Sequence, residues 1–97
     1  MQLRPLGKTG VRVSALGLGA ASLGGIYGDY DEAQGIAAVH RALDLGINVF
    51  DSSPYYGNWR AETMLGRALR GIPRERYVLM TKCGRYGADA FDFAPAR

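Results

Sequence analysis

Short apolar stretches alternate with segments of helical period along this chain, and that alternation limits the fold more than any other feature. Residues 15–19 (Ala-Leu-Gly-Leu-Gly), 47–51 (Ile-Asn-Val-Phe-Asp) and 77–81 (Tyr-Val-Leu-Met-Thr) read as strands. They are short and mostly apolar, as expected when both faces of a sheet are covered. Between the first two, from Glu32 to Leu45, Ile36, Ala37, Val39 and Leu43 recur at helical spacing. Asp29 and Asp31 offer N-cap chemistry there, and Gly46 suits the C′ position. A second helix is expected over Ala61 to Leu69, with Met64, Leu65 and Leu69 on its apolar side, Asn58 as an upstream cap and Gly71 at its end. Strands alternating with helices imply a parallel sheet joined by right-handed crossovers.

Ahead of this unit, residues 2–6 and 11–14 read as two short strands around the turn Gly7-Lys8-Thr9-Gly10, a small hairpin. Residues 20–28 read as a loop, and residues 83–97 have no clear period. The order is therefore hairpin, then β-α-β-α-β. Three parallel strands and two helices leave a closed barrel incomplete, since a (β/α)8 barrel takes roughly 250 residues. With 97 residues, the expectation is an α/β chain, the N-terminal part of such a barrel, and a fragment or truncated reading frame of one domain.

Composition excludes several classes. A single cysteine, Cys83, cannot form an internal disulfide, and a single histidine, His40, leaves too few soft ligands for a structural zinc site. Met1-Gln2-Leu3-Arg4-Pro5 lacks the apolar core of a signal peptide. No apolar run approaches the roughly 18 to 20 residues that span a membrane. The expectation is a soluble cytoplasmic protein with no membrane partner. The net charge of +3 comes mainly from dispersed arginines. Arg67, Arg70, Arg74 and Arg76 lie close together, but Glu75 interrupts them and no aromatic platform for bases is interleaved. They read as decoration of a helix C-terminus, where the dipole favours cations, and no nucleic-acid partner is expected. Gly17-x-Gly19-x-x-Ser22 lacks the third glycine and the immediate helix of a dinucleotide-binding loop, so a doubly wound nucleotide fold is set aside.

Three polar residues stand at or just past the carboxyl ends of the expected strands. Asp51 ends the second, Tyr56 lies five residues on, and Lys82 follows the third. In a (β/α)8 barrel that end carries the chemistry. Neighbouring strand ends can bring Asp51 and Lys82 within ion-pair reach. An ammonium beside a phenol favours the phenolate, which suits Tyr56 to proton transfer near neutral pH. Taken singly, each residue also has a plainer reading: turn former for Asp51, rim aromatic for Tyr56, solvated cation for Lys82. Cys83 should point away from Lys82 by strand alternation and is expected to be a packing residue.

The stretches Gly7–Gly19, Gly46–Gly57, Ala61-Glu62 with Leu65-Gly66-Arg67-Ala68-Leu69, and Thr81-Lys82 together resemble the opening of an aldo-keto reductase. Ser52-Ser53-Pro54-Tyr55-Tyr56-Gly57, Lys82-Cys83-Gly84-Arg85-Tyr86 and Phe91-Asp92-Phe93 most resemble the L-galactose dehydrogenase-like branch. The resemblance implies that residues 1–97 are the N-terminal third of one barrel domain. It implies hydride transfer between a nicotinamide cofactor, NAD or NADP with NAD favoured, and a sugar or carbonyl substrate. Asp51, Tyr56 and Lys82 match three members of the family's Asp, Tyr, Lys, His tetrad. Gly19, Ala20 and Ala21, with Asp51, match positions near the nicotinamide. The tetrad histidine should follow a fourth strand, so His40, inside the first helix, is expected to be an ordinary helix residue. The 97 residues alone are expected to be inactive. The alternative is a non-catalytic barrel fragment acting through self-association or a partner chain, favoured by an open sheet edge.

Overall fold

A computed structural model describes residues 1–95; Ala96 and Arg97, the end of the tail, lie outside the described residues. The chain begins with an antiparallel hairpin of β1 (Leu3–Pro5) and β2 (Arg12–Ser14). Its turn is closed by Leu6 N–H on Val11 O at 2.8 Å and by the Thr9 hydroxyl on Leu6 O at 2.6 Å. Three parallel strands follow, β3 (Leu18–Gly19), β4 (Val49–Asp51) and β5 (Val78–Met80), in the spatial order β3-β4-β5. Helix α1 (Glu32–Asp44) connects β3 to β4, and α2 (Arg60–Ala68) connects β4 to β5. The β-α-β-α-β reading holds.

α1 begins and ends as the sequence suggests. The Asp31 carboxylate accepts from Ala33 N–H, and Gly46, at φ +90°, follows the last turn. Gly46 N–H reaches Leu43 O and Ile47 N–H reaches Ala42 O, the paired bonds that satisfy otherwise unpartnered helix carbonyls. α1 and α2 pack on one side of the sheet. Val39, Ala42 and Leu43 of α1, Ala61, Met64, Leu65 and Ala68 of α2, and Phe50 of β4 share one buried cluster. His40 is exposed, and its Nε2 lies 2.7 Å from Ala68 O at the end of α2. Glu32 and Arg67 pair between the same helices. Arg67 occupies the last turn of α2, while Arg74 folds onto the Tyr77 ring, so two of the four arginines are taken up by local partners.

Alternation along β4 decides which residues face the helices. Phe50 is fully buried beneath them. Val49 and Asp51 turn to the opposite face, where a cleft of about 210 Å³ is lined by Gly17, Leu18, Gly19, Val49, Asp51 and Met80. At the other end of the sheet, Asn48 fastens the hairpin. Its Oδ1 accepts from Ser14 N–H at 2.7 Å and its Nδ2 donates to Arg12 O at 3.0 Å.

Five local readings are corrected. Residues 15–17 do not extend β3, because Ala15 N–H bonds Gln2 O beside the hairpin. The expected loop contains a 3-10 turn, Ala20–Gly24, seated against α2 through Ala20 and Leu23. Asn58 does not cap α2: the cap is Trp59, at φ +78°, with no side-chain cap bond. Backbone carbonyls of the preceding loop take that role, with Arg60 N–H on Gly57 O and Ala61 N–H on Tyr56 O. Finally, Cys83 is exposed rather than packed. β5 ends at Met80, so strand alternation does not extend to residue 83. The tail also forms an antiparallel hairpin, β6 (Gly84–Arg85) with β7 (Phe91–Asp92), which the sequence reading left without structure.

Among the described residues no helix is long and apolar enough to cross a membrane.

Candidate active site

The parallel register aligns the carboxyl ends of the strands. Gly19 lies opposite Asp51, and Asp51 lies opposite Met80. Lys82 is two residues beyond Met80, so its side chain can reach back along the strand ends to Asp51. Its Nζ donates to Asp51 Oδ1 at 3.2 Å, to Oδ2 at 3.1 Å and to Ser52 O at 2.7 Å. Three acceptors thus stand around an ammonium with three protons. The same Nζ lies 5.0 Å from the centroid of the Tyr56 ring, within cation–π range. The structure brings Asp51, Tyr56 and Lys82 together, and the ammonium stands between the carboxylate and the phenol.

This setting moves the lysine in a definite direction. Partial burial lowers the Lys82 pKa, but the Asp51 carboxylate and the neighbouring Tyr56 outweigh it and hold it above the ordinary value of 10.5. The side chains of Lys82 and Asp51 are 48% and 42% exposed, so solvent screens the pair and its worth is modest. A raised pKa stabilises the fold fully below the unfolded value and loses that effect as pH rises through the folded value. Lys82→Met in the complete protein is therefore expected to lower the unfolding midpoint by an amount that is flat from about pH 6 to pH 9 and shrinks above about pH 10.5. Denaturant melts of both proteins across that range check it; a difference that grows with alkali contradicts it.

Tyr56 sits in a chain of tight turns. Tyr55 N–H bonds Ser53 Oγ, Tyr56 N–H bonds Ser53 O, and Trp59 N–H bonds Pro54 O. The loop rests directly on the 3-10 turn after β3. A Cβ on Gly24 would come within 2.6 Å of the Tyr56 carbonyl carbon, and one on Gly57 within 2.0 Å of Gly24 O. Two glycines let the backbones meet and so fix where Tyr56 stands. Sequence reasoning missed this pair; its only trace was the glycines of Gly24-Gly25 and Tyr56-Gly57. It also missed Glu62 of α2, which accepts from the Thr81 hydroxyl and braces the residue before Lys82.

The other expected positions are placed as follows. Gly19 is exposed at the end of β3, and a Cβ there would meet nothing within 4 Å. Ala21 is half-buried. Ala20 is fully buried in the core and offers no surface. The strand end at Gly19 lies open beside Asp51. Only the five-residue 3-10 turn Ala20–Gly24 follows Gly19 and α1 does not begin until Glu32, so Gly17-x-Gly19 does not lead into an α-helix as a phosphate cradle would require.

The aldo/keto reductase family model matches residues 15–96. The chain is 48% identical over 99 aligned residues to L-galactose dehydrogenase of Arabidopsis thaliana, covering 100% of this chain and 31% of that protein. A Pseudomonas aeruginosa structure assigned to the aldo-keto reductases superposes with a TM-score of 0.82 at 44% identity, over 97% of this chain and 36% of that one. An aldo-keto reductase from Klebsiella pneumoniae, solved in complex with NADPH, gives 0.62 at 33% identity, over 73% of this chain and 24% of that one. The chain thus spans about a third of the length of the curated relative it matches over its full length.

Proposed function

We propose, from the premise that this chain belongs to the aldo/keto reductase family, that the complete protein is an NAD(P)-dependent oxidoreductase acting on a sugar or carbonyl substrate. Within the family's (β/α)8 barrel the chain is a partial N-terminal region, and residues 1–97 are read as the first third of one barrel domain. The observation that carries the reading is Lys82 Nζ, held by Asp51 and Ser52 and set 5.0 Å from the Tyr56 ring.

In this reading Tyr56 moves the proton. It gives one to the carbonyl oxygen in reduction and takes one from the hydroxyl in oxidation. Lys82 stabilises the negative charge that develops on the phenol oxygen during that transfer, since an ammonium beside a phenol favours its anion. Asp51 and Ser52 O fix the ammonium where it can do so. A nicotinamide cofactor, when bound, supplies or accepts the hydride. Gly19 and Ala21, with Asp51, would border its ring, and Ala20 would seat the loop from the core. The Arabidopsis relative's name favours oxidation of a sugar, and the branch resemblance is the ground for reading it as oxidation of an aldose at its first carbon to a lactone, with NAD preferred over NADP. The 97 residues alone lack a histidine at the fourth tetrad position and are proposed to be inactive.

The test is an absorbance assay on the complete protein that follows reduction of NAD or NADP by aldoses and, in parallel, oxidation of NADH or NADPH by simple carbonyls. Turnover of an aldose with NAD supports the full reading. Turnover of carbonyls alone, or with NADP alone, keeps the oxidoreductase and overturns the finer assignment. No turnover with any combination overturns the activity.

A further inference from the structure

The β6–β7 hairpin is fastened to the loop that carries Tyr56 through two successive residues, Arg85 and Tyr86. The Arg85 guanidinium lies 3.9 Å from the centroid of the Tyr55 ring and 5.5 Å from that of Phe91, its cross-strand partner. Its Nε donates to Gly87 O and its Nη2 to Ala88 O, both at 3.3 Å. The planar cation is thus held by the hairpin turn at its edge and stacks on Tyr55 with its face. The next residue repeats the link, because Tyr86 stacks on Trp59 at 5.6 Å with the rings 14° from parallel. Between the two segments lies a cavity of about 430 Å³, lined by Ile26, Tyr55, Gly57, Asn58, Gly87 and Ala88. Two of those residues are the ones whose carbonyls Arg85 holds, and Tyr55 is the ring it covers. The cavity adjoins Tyr56 through both of its sequence neighbours, Tyr55 and Gly57.

Building on the oxidoreductase reading, we propose that Arg85 is a positioning residue for substrate recognition: it clamps the hairpin turn against Tyr55 and so sets the width of the cavity beside Tyr56. Arginine suits the role because only a planar fork can bond two carbonyls at its edge while stacking an aromatic face. The walls present Ile26, Ala88 and the Tyr55 ring beside Asn58 and backbone groups, a mostly apolar lining with a few polar points, as sites for small organic ligands have. Arg85 touches neither Lys82 nor Asp51, so its influence is on substrate placement rather than on the proton transfer.

The test uses the complete protein and two readouts. Arg85→Met is expected to raise substrate KM about tenfold, the scale of a lost partly desolvated cation–π contact, while kcat and cofactor KM stay within about twofold. Arg85→Lys recovers part of the loss, since an ammonium can lie over the Tyr55 ring but cannot bridge both carbonyls. Combining Arg85→Met with Tyr55→Leu costs no more than the larger single effect, because both variants break the same contact. In parallel, hydrogen exchange at the Tyr86 amide, which bonds Ala90 O at 2.8 Å across the turn, accelerates in Arg85→Met while α1 amides do not change. Unchanged exchange, an unchanged substrate KM, additive losses, or a fall in kcat or a rise in cofactor KM as large as the rise in substrate KM overturn the proposal. If wild-type protein shows no turnover yet the exchange still accelerates, the oxidoreductase reading fails and the clamp stands.

Discussion

Tyr56→Phe in the complete protein is expected to lower kcat by about a hundredfold to ten-thousandfold, the range over which a positioned proton donor contributes. The substitution removes one oxygen and leaves the ring, so the cation–π contact with Lys82 at 5.0 Å survives. The turns from Ser53 to Trp59 use backbone groups and Ser53 Oγ, so the loop keeps its shape. Cofactor KM should therefore stay within about twofold, and the loss should fall on the chemical step. Steady-state kinetics with saturating cofactor check this. Retention of wild-type kcat would remove Tyr56 from the reaction.

The second large effect is on the fold. Gly57→Ala should destabilise the complete protein by about 2–5 kcal/mol, joining the cost of a left-handed alanine to that of overpacking. Gly57 has φ +64°, and its Cβ would lie 2.0 Å from Gly24 O. That neighbour is backbone within a turn whose Ala20 and Leu23 are locked in the core, so it cannot swing aside. Gly24→Ala meets Tyr56 and Gly57 backbone at 2.6 to 2.8 Å and should act in the same direction. Gly66→Ala is the contrast. It lies inside α2, its added Cβ meets nothing within 4 Å, and it should stabilise by roughly 0.5–1 kcal/mol. Urea midpoints for the three variants decide between them. Equal, small effects at Gly57 and Gly66 would refute the close backbone approach.

Both predictions depend on features that differ in how far the sequence discloses them. The β-α-β-α-β order was legible because each strand is a short apolar run and α1 carries its own signals, Asp31 at one end and Gly46 at the other. Asp51 and Lys82 were legible as polar residues at strand ends, where register alone brings them together. The start of α2 was not. Its cap is Trp59, left-handed like Asn58 before it, and the first helical N–H groups are met by backbone carbonyls of the loop rather than by a capping side chain. The hairpin of β6 and β7 was hidden for a related reason. Its strands are two residues each, too short for a period, and it is held by Arg85 and Tyr86 stacking on rings distant in sequence. Cys83 was misplaced because strand alternation was carried past the point where β5 ends. The Gly24–Gly57 contact joins two loops, and no local pattern records a backbone approach between segments 33 residues apart.

The central claim is that Tyr56, backed by Lys82 and Asp51, takes the hydroxyl proton while hydride leaves the carbon that bears that hydroxyl. The most direct measurement follows that hydride. The complete protein is given NAD and an aldose deuterated at its first carbon, and the reduced cofactor is weighed by mass spectrometry in time. The account predicts a reduced cofactor carrying the deuterium, formed rapidly by wild-type protein and about a hundredfold or more slower by Tyr56→Phe. Reduced cofactor without the label, or labelled cofactor formed equally fast by both proteins, would contradict it.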